Sequence, residues 1–314
     1  MIELNSLIEA KEYLEDSVVA LGNFDGVHKG HQKLISRCVS IAEEKGLVSV
    51  VFTFINHPAN EIAGKSIVKN LMTPREKADA IEMLGVDVLV AIPFVDKVRT
   101  SSPEKFASEI LAGDLHAKHA VCGYNYSFGY KGAGNPEMLR NFGNSYGFNV
   151  TVMDEIDIDD IPVSSTLVRA KLAEGDMESI AKLCGRRYFI SGKVMQGEHL
   201  GRKMGFPTVN LSLNTDMALP PNGVYITNVY VSGVLYHSVT NVGNKPSVGH
   251  FAKNAETHIF GFSEDIYGHH IRVEFIKMLR PEIKFRSVEE LALQIEKDCI
   301  AARDYHEKNS SLQR

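Results

Sequence analysis

Between the apolar, strand-length run Ser17–Leu21 and an amphipathic stretch stands the segment Gly22-Asn23-Phe24-Asp25-Gly26-Val27-His28-Lys29-Gly30-His31. Glycines at 22, 26 and 30 permit a tight passage from strand to helix and a close backbone approach to a ligand. The helix predicted over about 30–45 carries Leu34, Ile35, Cys38, Ile41 and Ala42 on one face and is closed by Gly46. A strand that passes directly into a crossover helix commits the chain to a parallel sheet.

The alternation continues. Val48–Phe54, Asp87–Ile92, His119–Cys122 and Phe148–Met153 are predicted strands. Thr73-Pro74-Arg75-Glu76 starts a helix with a Thr cap, Pro in the first turn and Glu at the third position, and Gly85 ends it. Further helices are expected from Ser102-Pro103 to near Gly113 and around Pro136–Tyr146. This pattern specifies a Rossmann-like α/β domain with helices on both faces of a parallel sheet. Ligands of such sheets gather at the carboxyl ends of the strands, where Gly22–His31 lies.

From about Tyr188 the rhythm changes. Tyr188–Val194, Val224–Val231, Val234–Asn241, Glu256–Phe262 and His270–Leu279 read as strands, with Ser232-Gly233 as a tight hairpin turn. A final helix starts at the capping box Ser287-Val288-Glu289-Glu290 and sets Val288, Leu291, Ile295, Cys299 and Ala302 on one face. These elements predict a small antiparallel barrel with a terminal helix. The expected boundary falls near Cys184–Arg187, giving domains 1–185 and 186–314, which suits a length of 314 residues.

A formal net charge of −5 argues against nucleic acid or anionic membrane as partner, so an anionic ligand must be held by local donors. No long apolar run is present, and Met1–Ala10 lacks a basic-then-apolar pattern, which predicts neither a membrane span nor a secretory signal. Cys38, Cys122, Cys184 and Cys299 form no CxxC and read as buried free thiols of a cytoplasmic protein.

His28 and His31, three apart where the helix begins, can face one spot beside unpaired backbone N–H groups and the positive end of the dipole. Two imidazoles there can donate to triphosphate oxygens and stabilise charge that develops during transfer. The same spacing also fits a helix cap with a surface histidine, or a metal site. In Val163-Ser164-Ser165-Thr166-Leu167-Val168-Arg169, hydroxyls before a helix and an Arg one turn on fit a phosphate site or a plain cap. Gly123-Tyr124-Asn125-Tyr126-Ser127-Phe128-Gly129 follows a strand at the same sheet edge. There Asn125 can contact substrate, and the aromatics either stack on a flat ring or pack into the core. His57-Pro58, after Val48–Phe54, is a similar candidate.

In the second half, Gly197-Glu198-His199-Leu200-Gly201-Arg202-Lys203-Met204-Gly205-Phe206-Pro207-Thr208-Val209-Asn210 joins a basic glycine-containing loop to a Pro-Thr-x-Asn turn. It lacks Walker A spacing. Its backbone can drape over phosphates, and Thr208 and Asn210 offer neutral oxygens to Mg²⁺; an ordinary hairpin loop is the alternative. Glu256 is expected at a strand start, as a carboxylate for a substrate hydroxyl or as a solvated strand end.

In order along the chain, GNFDGVHKGH, GYNYSFG, VSSTLVR, LGRKMGFPTVN, NVGNKPS, ETHIFGF and LRPEIKF resemble the prokaryotic bifunctional riboflavin kinase/FAD synthetase family. The resemblance implies two Mg²⁺-dependent reactions of ATP: phosphorylation of riboflavin to FMN in the barrel, and adenylylation of FMN to FAD, with release of pyrophosphate, in the first domain. It implies Glu256 as general base of the kinase, Gly201, Arg202, Pro207, Thr208 and Asn210 as its ATP-binding residues, and Thr208 and Asn210 at Mg²⁺. It implies His28 and His31 as catalytic residues of adenylyl transfer. Gly22, Phe24, Asp25, Ser164, Thr166 and Arg169 join them around the ATP phosphates, with Asn125 near the flavin phosphate. Asn56 stands where the family often has proline, Asn244-Lys245-Pro246-Ser247 where Arg-Pro-Thr is common, and Val209 where alanine is usual. These departures bear on the shape of the flavin pocket and on relative rates. The rival readings are an adenylyltransferase whose barrel only binds or regulates, and a non-catalytic flavin-binding protein.

Overall fold

The computed structural model describes residues 1–196, 205–214, 216–247 and 250–310. Its contacts divide the chain into two compact units, Met1–Ser165 and Thr166–Arg314.

The first unit holds a six-stranded sheet of β1 (Ile2–Leu4), β2 (Ser17–Leu21), β3 (Val48–Phe54), β4 (Val88–Ile92), β5 (Ala117–Gly123) and β6 (Asn149–Met153). Their order is β1-β4-β3-β2-β5-β6, and every neighbouring pair is parallel. β2 is buried along its whole length, which is why its sequence is an unbroken apolar run rather than an alternation. One face packs Val19, Leu21, Val50, Phe52, Val90, Phe106, Ile110 and Leu111 into a single core. Helix α1 (Leu7–Tyr13) contributes Leu7 and Ala10 to that core. Helix α2 (Lys29–Lys45) buries Leu34, Ile35, Cys38, Ile41 and Ala42, the five residues its periodicity singles out, and ends on Gly46 at φ +64°.

Two short helices follow β3, α3 (Pro58–Ala63) and α4 (Pro74–Glu82), the latter with the reciprocal Thr73–Glu76 capping box. Helix α5 (Pro136–Tyr146) packs against β6. The chain runs from β2 outward through β3 and β4, then returns to set β5 against the opposite edge of β2. The order therefore reverses between β2 and β5, the place where such sheets bind ligands. The helix expected after Ser102-Pro103 winds as α only over Pro103–Lys105 and as a π-helix over Phe106–Asp114. The wider turn buries Phe106, Ala107, Ile110 and Leu111 together.

A short antiparallel ribbon, β7 (Asp157–Ile158) with β8 (Ile161–Pro162), closes the first unit. Then α6 (Ser165–Glu174) and α7 (Met177–Cys184) lead to the barrel.

The barrel is closed, with order β10-β13-β12-β11-β14-β9, from β9 (Phe189–Met195), β10 (Val209–Ser212), β11 (Gly223–Val231), β12 (Val234–Ser247), β13 (His250–Ile259) and β14 (His270–Pro281). All its pairings are antiparallel. Ser232 and Gly233 turn the β11–β12 hairpin at φ +49° and +83°, as a two-residue turn of this kind requires. Strands β12 and β13 are longer than their sequences suggest, because they pair with each other out to Ser247↔His250 and that ladder extends both through polar residues. Glu256 consequently sits inside β13 rather than at a strand start.

Tyr225 and Phe275 meet edge to face in the barrel core, while Thr227, Ser238, Thr240 and Thr257, all fully buried, bond hydroxyl to hydroxyl at 2.8–2.9 Å. Val224, Ile226, Val239 and Ile276 pack against Cys299 and Ala302 of the terminal helix α8 (Val288–Ser310), with Ile295 beside them. Val288 does not join that face and is 59% exposed, since it is the first helical residue. Glu290 donates its amide to Ser287 Oγ at 3.2 Å, but its carboxylate accepts from the Arg286 amide at 2.8 Å rather than from Ser287.

Candidate active sites

In the first unit the loop after β2 turns on a left-handed Phe24 (φ +50°) and Val27 (φ +35°), a conformation that costs a non-glycine residue about 1–3 kcal/mol and persists only where surroundings impose it. Here they do. Phe24 is fully buried, and its ring fills the space that a Cβ on Gly22 would need, 2.8 Å from Phe24 Cζ. The Asp25 carboxylate accepts the Leu71 amide at 3.0 and 3.1 Å, and its carbonyl accepts the Ser165 hydroxyl at 2.8 Å. Asp25, 5% exposed, thus anchors the loop to two other segments.

His28 caps α2, its Nδ1 accepting the His31 amide at 3.3 Å, so the capping alternative holds for this residue. A ring nitrogen that accepts carries no proton, which leaves Nε2–H as the donor of a neutral His28. The two imidazoles stack with centroids 3.6 Å apart and planes at 21°, and Phe24 meets His31 edge to face at 5.2 Å. Gly30 packs closely against this pair: a Cβ there would stand 3.1 Å from the His28 ring and press on it.

At the carboxyl ends of β2 and β5 opens a cavity of about 960 Å³, lined by Gly22, Phe24, His31 and Asn125 among the residues expected at the site. Phe54, Phe94, Phe106, Tyr126 and Phe128 give it aromatic walls, and His57, Arg99 and Lys131 also line it. Phe54 meets Phe94 edge to face at 4.9 Å, and Tyr126 lies parallel to Phe128 at 5.7 Å. Asn56, the departure from the family's proline, accepts the Phe94 amide at 2.7 Å and so holds part of that wall. Tyr124 is exposed, and its hydroxyl bonds Glu155. Aromatic walls with local cations suit a flat ring bearing phosphate, the local solution that a net charge of −5 demands. Phe94, Arg99 and Lys131 carry no motif and were not among the sequence candidates; they meet only because the ends of β3, β4 and β5 converge.

Exposed Ser164 directly precedes α6, and Thr166 and Arg169 lie on that helix at its second residue and one turn later. Both fall in the second compact unit.

In the barrel, register does what sequence distance hides. Asn210 on β10 pairs with Glu256 on β13, which pairs on its other side with Asn241 of β12. Asn254, two residues before Glu256, donates to Asn210 Oδ1 at 3.0 Å and to Glu256 Oε1 at 3.4 Å. Asn210 is 7% exposed, while Glu256 and Thr208 are half-buried, and Thr208 stands two residues before Asn210. Exposed Pro207 gives its carbonyl to His258 Nδ1 at 2.7 Å. Neither Asn241, which opens the NVGNKPS segment, nor Asn254 was among the expected site residues; strand register is what brings them to Glu256. Gly201 and Arg202 lie outside the described residues. Among the described residues no group of three or more His, Cys, Asp or Glu is arranged to hold a metal ion.

The sequence matches two family models, FAD synthetase over residues 10–167 and riboflavin kinase over residues 184–306. It is 38% identical over 294 residues to the bifunctional riboflavin kinase/FMN adenylyltransferase of Bacillus subtilis, covering 92% of each chain. It is 35% identical to the enzyme of that name from Listeria monocytogenes, covering 95% of each. A crystal structure of a protein from Streptococcus pneumoniae named for macrolide efflux superposes with a TM-score of 0.87 at 28% identity, covering 96% of this chain and 99% of that one. No described helix here is long and apolar enough to cross a membrane.

Proposed function

From the premise that the chain belongs to the family of bifunctional riboflavin kinases/FMN adenylyltransferases, we propose an assignment of its two reactions to individual residues. The chain is a transferase that uses ATP to phosphorylate riboflavin to FMN and to adenylylate FMN to FAD. We assign adenylyl transfer to residues 1–185 and the kinase to residues 186–314.

In adenylyl transfer a phosphate oxygen of FMN attacks the α-phosphorus of ATP, the bond to the bridging α–β oxygen breaks, and pyrophosphate leaves. An ionised phosphate needs no base, so the work is positioning and charge stabilisation. His28 and His31 donate to the triphosphate; Ser164, Thr166 and Arg169 hold its oxygens, and Gly22 and Phe24 shape the loop around it. Asp25 serves through the backbone it anchors, and Asn125 orients the attacking phosphate. The stack of His28 on His31, the latter lining the aromatic-walled cavity, is the observation that carries this reading.

In the kinase the ribityl 5′-hydroxyl attacks the γ-phosphorus. Glu256 takes the hydroxyl proton, and ADP leaves. Gly201, Arg202, Pro207, Thr208 and Asn210 hold the nucleotide. Thr208 and Asn210 present neutral oxygens beside one carboxylate, a set that fits Mg²⁺ brought in with ATP phosphates rather than caged by protein. Bound there, Mg²⁺ would neutralise phosphate charge. The cytoplasm is the compartment we assign, where the buried thiols of Cys38, Cys122, Cys184 and Cys299 stay reduced.

Incubation with riboflavin and Mg-ATP, followed by chromatography, tests the whole assignment. FMN and FAD should both accumulate; conversion only of supplied FMN would favour the adenylyltransferase-only reading, and absence of both products would overturn it.

A further inference from the structure

Lys77 lies on α4 and is only 8% exposed, a rare condition for lysine unless the ammonium is matched. Its Nζ donates to two backbone carbonyls, Asn23 at 3.2 Å and Phe54 at 2.6 Å. Asn23 belongs to the loop that delivers His28, and the Phe54 side chain forms part of the cavity wall. The same Asn23 carbonyl also accepts the Thr53 hydroxyl at 3.0 Å. One buried cation therefore ties the nucleotide loop to the end of the strand that walls the flavin side. A neutral side chain of the same length would withdraw the charged donor from both carbonyls and leave the Asn23 carbonyl with the Thr53 hydroxyl alone among these contacts.

We propose that Lys77 is a positioning residue of adenylyl transfer: in its charged form it holds the Asn23 and Phe54 carbonyls together and so sets the distance between the ATP-binding loop and the flavin wall. The inference rests on placing adenylyl transfer in the first unit. Lys77 touches no substrate in this account. Its effect passes through the two backbone carbonyls it holds.

The tether is sensitive to alkali. Burial pushes the Lys77 ammonium down to about 8, while the buried Asp25 carboxylate across the loop draws it back up. The buried thiols of Cys38 and Cys122 are pushed up to about 12 by burial, and the buried Tyr126 phenol is pushed above its ordinary value.

The test measures kcat/KM for FMN in FAD synthesis from pH 6.5 to 9.5, for the full-length wild type, Lys77→Met and Lys77→Arg, with riboflavin phosphorylation in the same chain as internal control. The wild type should lose FAD synthesis with an apparent pKa near 8. Lys77→Met should fall about tenfold or more at pH 7, as the loss of charged hydrogen bonds implies, and should lack that limb. Lys77→Arg should recover part of the rate with the limb absent, and kinase turnover should be unchanged in both. A wild-type profile flat to pH 9.5 would overturn the proposal even if no variant folds, as would Lys77→Met within twofold of wild type. His28→Ala/His31→Ala distinguishes the two levels: if that variant kept FAD synthesis, the site assignment itself would fail. If it lost FAD synthesis while Lys77→Met kept it, only the role of Lys77 would fall.

Discussion

The imidazoles of His28 and His31 lie face to face with centroids 3.6 Å apart, and the ring of one accepts the backbone amide of the other. This single contact merges the observed job of His28, the cap of α2, with the one proposed for it, donation to phosphate. Substitution can separate them. His28→Asn retains a capping oxygen, so α2 should keep its stability, whereas His28→Ala should cost about 1 kcal/mol. Both should lower kcat for FAD synthesis by about a hundredfold or more, the usual effect of removing one preorganised donor. The double change His28→Ala/His31→Ala should abolish FAD formation from FMN and leave riboflavin phosphorylation intact. Loss of kinase turnover in that variant would contradict two independent sites.

Glu256 lies mid-strand with Asn210 and Asn241 as its cross-strand partners. Glu256→Gln keeps the shape and a hydrogen-bonding oxygen but cannot take a proton. FMN formation should drop by about 10²- to 10⁴-fold, while FAD formation from supplied FMN stays at the wild-type rate. Steady-state assays of each half-reaction check this, and a parallel fall in both would detach Glu256 from a separate kinase site.

How much of this was legible in the sequence depends on whether the cause was local. The passage from β2 to α2 was, since glycines, cap and apolar face all lie within one stretch. The strand β1 was not, because three residues with only Leu4 buried carry no period. The π-helix at Phe106–Asp114 reads as an ordinary helix, its extra width being set by packing. The aromatic cavity draws Phe54, Phe94 and Tyr126 from three chain segments, and only sheet order brings them together. The Asn210–Asn254–Glu256 cluster likewise follows from barrel register. Motifs identified the chemistry, but the partners that orient it came from pairing.

Gly22 offers a purely steric prediction. A methyl group there would meet the Phe24 ring at 2.8 Å, and that ring is fully buried with a left-handed backbone. Gly22→Ala should therefore destabilise the first unit by about 1–3 kcal/mol, as over-packing does. FAD synthesis should suffer at temperatures where the fold persists, because Phe24 also meets His31 edge to face. Calorimetry should show the first-unit transition lowered with the barrel transition unmoved.

On the barrel, His306 of α8 stacks on His237 of β12 with centroids 3.9 Å apart, and His237 Nδ1 bonds Asn228 Oδ1 at 3.0 Å. Burial, then the neighbouring His237 and the more distant Arg187, push His306 down to about 4, and burial lowers His237 as well. Two stacked imidazoles cannot both be charged without repulsion, so the folded barrel keeps this pair neutral while the unfolded chain protonates near the ordinary histidine value of about 6.5. Between those limits the unfolded state binds more protons than the native one, so stability rises with pH. The contribution is fully present above about 6.5 and is lost as pH falls toward 4, on the order of 3 kcal/mol from His306 at full effect. The chain contains no tryptophan, so calorimetry is the suitable probe. The barrel transition should fall steeply from pH 6.5 to 4 in the wild type. In His306→Phe, which keeps a flat ring over His237, the fall should be shallower. An equally steep fall in that variant would mean that the stacked pair is not what anchors α8 against acid.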